Sequence, residues 1–246
     1  MAFQGSIYRP VSTLLAPLLH TISPFKQAFQ KLSYTTKVSS AMFTRKDPSK
    51  KRLILVASIG NPSPMYDGTR HSVGHYILER YCCAEGYNSS VSLGMFEFRR
   101  NAKPDCFLFY HNKGFMNESG KNLLGPWNEF KRYAIQEGKT PALVVLSDDL
   151  DSDLGSWHIR KQNSSARGHN GLKSIQMVIG RGFTSVKIGI GRNYPGGGKD
   201  SESVSKYVLG KFTPEEIEIL NRDLINKLVN VFTLLSSGPY IYNVQK

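Results

Sequence analysis

Two histidines, a pair of aspartates and three asparagines stand in this chain where side chains can act on a ligand. Gly60-Asn61-Pro62 ends an apolar run and leads through Tyr66 to His71. Gly114-Phe115-Met116-Asn117-Glu118-Ser119-Gly120, Leu146-Ser147-Asp148-Asp149-Leu150-Asp151 and Arg167-Gly168-His169-Asn170-Gly171-Leu172 likewise leave or open apolar segments with polar side chains. A neutral imidazole takes a proton from water when a carboxylate holds its other nitrogen and stabilises the imidazolium. Such a base is worth roughly 10²–10⁴-fold in rate. Asparagine amides offer two donors and an acceptor without charge, which suits them to gripping peptide amides or an ester carbonyl. A donor aimed at a developing oxyanion contributes on the order of 10²–10³-fold. The sequence has no Gly-x-Ser-x-Gly and no evident cysteine nucleophile. His71 and His75 stand at i, i+4, but no His-Glu-x-x-His accompanies them, and no other metal-ligand spacing occurs. The chemistry left to this set is direct attack by water, assisted by histidine and oriented by amides. Each residue taken alone also has a structural reading. Asn61 before Pro62 suits a turn, Asn117 and Asn170 can cap helices, and Asp148-Asp149 can cap a helix or form a solvated turn. His169 reads as support for the loop that presents Asn170.

Such residues act together only if a scaffold gathers distant loops. Leu53–Ile59 reads as a buried strand, and Ser72–Cys83 as a helix with Val73, Tyr76, Ile77 and Tyr81 at helical spacing. Met95–Arg100 and Cys106–Tyr110 read as paired strands joined by Asn101-Ala-Lys-Pro104. Ser119–Gln136 reads as a helix closed by Gly138, with Gly125-Pro126 a place for a kink. Ala142–Leu146 and Val186–Ile190 are further strands, Ser156–Arg160 an edge strand, and Gly171–Ile179 a helix ended by Gly180. Thr213-Pro214-Glu215-Glu216 is a capping box with Pro at the first helical position, opening a helix to about Leu235. Strands alternating with helices predict an α/β fold: a single domain with a mixed twisted sheet flanked by helices. In such folds the loops after strand ends carry the site.

Charge points to the class of partner. The chain carries 32 Lys/Arg against 19 Asp/Glu, a net of +13. Residues 1–52 hold nine bases and one acid, Asp47; the rest is still basic by +5. That balance suits a polyanion, because Lys and Arg that neutralise phosphates release counterions. Arg160, Lys161, Arg167, Arg181, Lys187 and Arg192 crowd the later segments, as either a solvated face or a phosphate track. The first 46 residues lack acids and are rich in Ser and Thr, the composition of an organelle transit peptide. Residues 1–50 therefore read as a basic, disordered N-terminal extension serving as a mitochondrial transit peptide, and residues 51–246 as the catalytic domain. The expected location is the mitochondrial matrix, with a cytoplasmic form starting at Met42 as the alternative. Three cysteines, Cys82, Cys83 and Cys106, make neither a disulfide framework nor a zinc site and fit a reducing compartment. No apolar stretch approaches a membrane span, and no membrane role is expected.

Five segments together resemble the bacterial-type peptidyl-tRNA hydrolases. They are Ile59-Gly-Asn-Pro with Tyr66 and Thr69-Arg-His71, Phe115-Met-Asn-x-Ser-Gly120, Ser147-Asp148-Asp-Leu-Asp151, Gly168-His-Asn-Gly-Leu-Lys-Ser174 and Lys187-Ile-Gly-Ile-Gly-Arg192, in family order across residues 52–235. The resemblance implies a three-layer domain, usually monomeric, with a mobile loop or short helix over a peptide-binding crevice. It implies cleavage of the ester between a peptide and the 3′ end of tRNA, recycling the tRNA, with no cofactor, no metal and no obligate protein partner. It makes His71 the general base and Asp148 its partner, with Asn61, Asn117 and Asn170 holding the peptide and terminal nucleotide. Tyr66 would shape the entry of the tRNA end, Met116 would form a wall, and Arg160 with its neighbours would face tRNA phosphates. The chain departs from the family at Ser63 for Gly, Ser72 for Asn, Ser147 for His and Asn193 for Pro. Asn163-Ser-Ser-Ala-Arg167 replaces a glycine-rich approach. The alternative reading is a non-catalytic RNA-binding relative, like the plant organellar branch of this fold that assists intron splicing.

Overall fold

The computed structural model describes residues 52–86, 89–100, 107–192 and 200–236. Residues 1–50, expected above to be an N-terminal extension, together with Met42, the segment Asn101–Pro104, Cys106 and Asn193, lie outside the described residues. The central strands are β1 (Arg52–Ser58), β4 (Phe107–His111), β5 (Thr140–Asp149) and β7 (Thr184–Gly189), which run parallel in the order β4-β1-β5-β7. Two antiparallel strands, β2 (Ser89–Leu93) and β3 (Phe96–Arg100), extend one side, and β6 (Trp157–Arg160) closes the other. Among the described residues the sheet is thus mixed, as expected, with seven strands in the order β2-β3-β4-β1-β5-β7-β6.

Both faces of β1, β5 and β7 are covered, which is why they read as continuous apolar runs. Ile54 and Val56 of β1 pack on one face with α1 (Val73–Ala84) and the C-terminal helical segments. Those segments are α4 (Ser201–Leu209), α5 (Pro214–Ile219), a π-turn over Leu220–Leu224 and α6 (Ile225–Ser236). Leu53, Leu55 and Ala57 point the other way, toward α2 (Ser119–Gln136) and α3 (Asn170–Val178). The two-residue period of β1 therefore feeds two separate cores, giving three layers.

Three departures from the predicted elements have physical causes. Strand β5 runs to Asp149, three residues beyond the apolar stretch, because Ser147, Asp148 and Asp149 keep pairing with Lys187, Ile188 and Gly189. These polar residues are buried, and side-chain partners satisfy the two carboxylates. Strand β2 shows little apolar alternation because it is a mostly exposed edge. Helix α4 went unread although Asp200 caps it, accepting from the Ser203 amide at 2.8 Å. The Thr213 capping box is present with Pro214 inside it, and the helical segment it opens runs on to Ser236 through the π-turn. Ser119–Gln136 is one helix that contains Pro126.

Candidate active site

Helix α1 brings His71 to the sheet. A Cβ at Gly74 would lie 2.7 Å from the Leu146 carbonyl oxygen and 3.0 Å from that of Ile59. Only glycine lets the helix start approach the ends of β1 and β5 so closely. The preceding turn is held from the other side. Thr69 bridges Lys211, the Arg70 amide donates to the Gly210 carbonyl at 3.0 Å, and the Phe212 amide donates to that of Gly68 at 2.9 Å. The Arg70 guanidinium donates to Glu216 at 2.7 Å and to the Lys211 carbonyl at 2.9 Å, and lies 4.4 Å from the Tyr207 ring centroid. Glu216 is also the second member of the capping box. One residue before the histidine, Arg70 thus ties the turn to the C-terminal segment. Arg70→Ala should lower stability by about 2–3 kcal/mol, since it breaks a largely buried pair. Urea denaturation of the variant beside wild type checks this, and a change below about 0.5 kcal/mol would contradict the anchoring role.

His71 Nδ1 lies 2.8 Å from Asp148 Oδ1, and His169 Nε2 lies 2.9 Å from the same oxygen. His169 Nδ1 accepts from the Leu172 amide at 3.3 Å, so His169 caps α3 and must carry its proton on Nε2. Two N–H groups therefore converge on one buried carboxylate. With Nδ1 donating to Asp148, His71 keeps Nε2 as the free basic nitrogen. Burial opposes the His71 imidazolium, but the charge and hydrogen bond of Asp148 outweigh it and hold the pKa above the usual 6.5. Burial would raise the Asp148 carboxyl, but the two histidines hold it far below the ordinary carboxylate range.

Asn61 joins two loops. Its Oδ1 accepts from the Met116 amide at 3.0 Å, and its own amide donates to Ser72 Oγ at 3.1 Å. Ser72 also accepts from Thr69 Oγ1 at 3.1 Å, so this serine holds the turn to the loop after β1. Asn61's acceptor is thus engaged in placing the Met116-Asn117 turn, which leaves its NH₂ for a ligand. Met116 is buried at the start of that turn, and Asn117 is exposed. A Cβ at Gly171 would stand 2.4 Å from Met116 Sδ and 2.9 Å from Ile59 Cδ1. Glycine there lets Asn170 open α3 against the same turn.

These groups surround one cavity of about 660 Å³, lined by Asn61, His71, Met116, Asn117, Asp148 and Asn170 among others. One wall is Ser201, Val204, Ser205, Val208 and Leu209 of α4, the helix that sequence reading missed. Its signal was present in the Asp200 cap and the spacing of Val204, Tyr207 and Val208. Tyr66 does not line the cavity; its ring meets Phe115 edge-on at 6.4 Å, beside Met116. Arg160 sits on β6 and does not line the cavity, although its charge acts on Asp149; it lies near Lys161 and Arg181. Lys187 and Arg192 do line it, but each holds a carboxylate: Lys187 pairs with buried Asp149 at 3.0 Å, and Arg192 with Asp151 at 2.7 Å. Behind the Gly60-Asn61 turn, His75 stacks on His111 at 3.9 Å and bonds Ser58 at 2.8 Å. Burial first, and His111 second, push its pKa well below 6.5, so this pair is neutral filling at physiological pH.

His71, Asp148 and His169 are the one group among the described residues whose ligand atoms lie close enough to hold a metal ion. Both nitrogens that would ligate already lie within hydrogen-bond distance of the Asp148 oxygen, an arrangement of donors on a carboxylate.

A mixed α/β sheet whose carboxyl edge gathers a histidine–aspartate pair, three amides and a basic rim defines an α/β protein equipped to activate water beside a polyanionic ligand. Comparison with known proteins places it further. Residues 55–244 match the family model described as peptidyl-tRNA hydrolase. The peptidyl-tRNA hydrolase of Saccharomyces cerevisiae is 34% identical over 178 residues, covering 70% of this chain and 90% of the yeast protein. That of Campylobacter fetus is 36% identical over 186 residues, covering 76% and 93%. The crystal structure of the Acinetobacter baumannii peptidyl-tRNA hydrolase shares the fold, with a TM-score of 0.56 at 24% identity, covering 80% of this chain and 99% of that one. The chain belongs to the peptidyl-tRNA hydrolase family.

Proposed function

We propose that this chain hydrolyses the ester linking a peptide, or an N-blocked aminoacyl group, to the 3′ end of tRNA. The observation that carries the reading is the 2.8 Å bond from His71 Nδ1 to Asp148, made at a cavity that Asn61, Asn117 and Asn170 also line. His71 Nε2 takes a proton from water as the water oxygen attacks the ester carbonyl carbon. Asp148 holds the ring in the tautomer that exposes Nε2 and stabilises the imidazolium. The amide donors of the asparagines receive the negative charge that develops on the carbonyl oxygen and orient the peptide. The tetrahedral intermediate collapses by breaking the bond to the tRNA 3′ oxygen, which takes the proton back from His71. The products are a free peptide acid and tRNA with its hydroxyl restored. A purely RNA-binding relative has no use for the base–carboxylate pair.

The purified full chain should release the acyl group from N-blocked aminoacyl-tRNA, at an unchanged rate after exhaustive treatment with EDTA. Tight tRNA binding with no release would favour the binding reading instead. Loss of turnover on chelation, restored by metal, would assign the His71–Asp148–His169 cluster to a metal.

A further inference from the structure

The loop entering the His169-Asn170 turn is unusual in this chain. Arg167 has φ +45°, in the left-handed region that side chains rarely adopt, and Gly168 follows at φ +88°. The backbone there is fixed from both sides. The Arg167 amide donates to Ser165 Oγ at 3.2 Å, and the His169 amide donates to the Ala166 carbonyl at 2.9 Å. Ala166 is buried, and His169 is locked between Asp148 and the start of α3. Glycine would adopt the same backbone without strain. What position 167 adds in this chain is therefore a side chain, an exposed guanidinium on the rim of the cavity.

The charges around the cavity indicate what that guanidinium meets. Asp148 is engaged by two histidines, Asp149 by Lys187 and Asp151 by Arg192. Arg167 and Lys173 are the lining cations left without an acidic partner among the described residues. Both are exposed. In a peptidyl-tRNA the peptide's acids vary, whereas the phosphodiesters of the 3′ end are present in every substrate. The phosphate preceding the terminal nucleoside is the fixed charge nearest the ester.

We infer that Arg167 is a specificity-determining residue of this chain, its guanidinium pairing with a phosphodiester at the 3′ end of the tRNA. The inference rests on the activity proposed above, and it concerns binding rather than the chemical step. Arginine's planar fork fits phosphate oxygens two at a time, so the contact selects a nucleic-acid acyl ester over a simple one.

The test compares full-length wild type, Arg167→Gly and Arg167→Lys. Binding of deacylated tRNA is followed by fluorescence anisotropy over a range of salt. Turnover is measured on N-blocked aminoacyl-tRNA and on N-blocked aminoacyl-adenosine, which has no phosphate. Arg167→Gly should weaken tRNA binding roughly five- to tenfold and flatten the slope of log K against log salt by about 0.7, as expected for one lost single-strand phosphate contact. It should raise KM on the tRNA substrate with kcat within about twofold, and leave the adenosine ester unaffected. Arg167→Lys should restore most of the salt slope. Because glycine accepts φ +45°, Arg167→Gly should melt at or above the wild-type temperature, so weaker binding is not misfolding. Wild-type affinity and salt slope in Arg167→Gly would overturn the inference, as would an equal loss on the phosphate-free ester. A wild type that cleaves neither substrate would overturn the proposed activity instead, and the anisotropy measurement would still decide the role of Arg167.

Discussion

His71→Ala is expected to lower the single-turnover rate on N-blocked aminoacyl-tRNA by roughly 10²–10⁴-fold, with tRNA affinity within about twofold of wild type. The reasoning is geometric. His71 lines the cavity, and with its Nδ1 held by a carboxylate its Nε2 is left as the basic nitrogen. Removing it takes away the proton acceptor for water but none of the exposed cations on the cavity rim. Asp148 keeps the His169 donor at 2.9 Å, so the carboxylate is not left bare and the variant should fold. The measurement is quench-flow or manual quench with enzyme in excess, together with anisotropy for binding. A loss of less than about tenfold would show that another group activates water.

Asp148→Asn should reduce the same rate by roughly 10²–10⁴-fold and also shift its pH dependence. A base works when neutral, so the rate falls as pH drops through the His71 pKa. In wild type that pKa stands above 6.5, because the Asp148 charge and hydrogen bond exceed the opposing effect of burial. Asparagine removes the charge and leaves burial, which moves the acid limb to lower pH. The variant therefore loses most where the imidazolium must be stabilised, and its remaining activity persists further into acid. Stability should fall as well. A carboxylate whose folded pKa is depressed stabilises the fold above its unfolded pKa, and that contribution disappears only as pH drops through the folded value. At neutral pH the full contribution is present, so Asp148→Asn should melt below wild type there. Equal melting temperatures at pH 7 would mean that the two histidines gain nothing from the charge.

Much of this was legible in the residues because apolar periodicity and strand-end chemistry are local signals. Leu53–Ile59 and Ser72–Cys83 could be read from spacing, and the observed β1 and α1 differ only at their ends. Other features depend on partners remote in sequence. Nothing near Asp148 indicates that the strand continues to Asp149, because the groups that make a buried aspartate tolerable, His71 and His169, come from elsewhere. The anchoring of Arg70 by Glu216 spans 146 residues. The cavity wall on α4 was missed for another reason: its capping signal is ordinary, and its short apolar pattern follows a polar, glycine-rich stretch. Site chemistry was legible in kind. Its wiring was not, since one oxygen of Asp148 serves two histidines and Asn61 uses its acceptor on Met116.

The most direct test of a His71 base tuned by Asp148 is the pH profile of single-turnover cleavage for wild type and Asp148→Asn. The account predicts cleavage by wild type with an acid limb centred above pH 6.5, and a slower Asp148→Asn limb centred at lower pH. Absence of cleavage, or limbs with the same midpoint in both proteins, would contradict it.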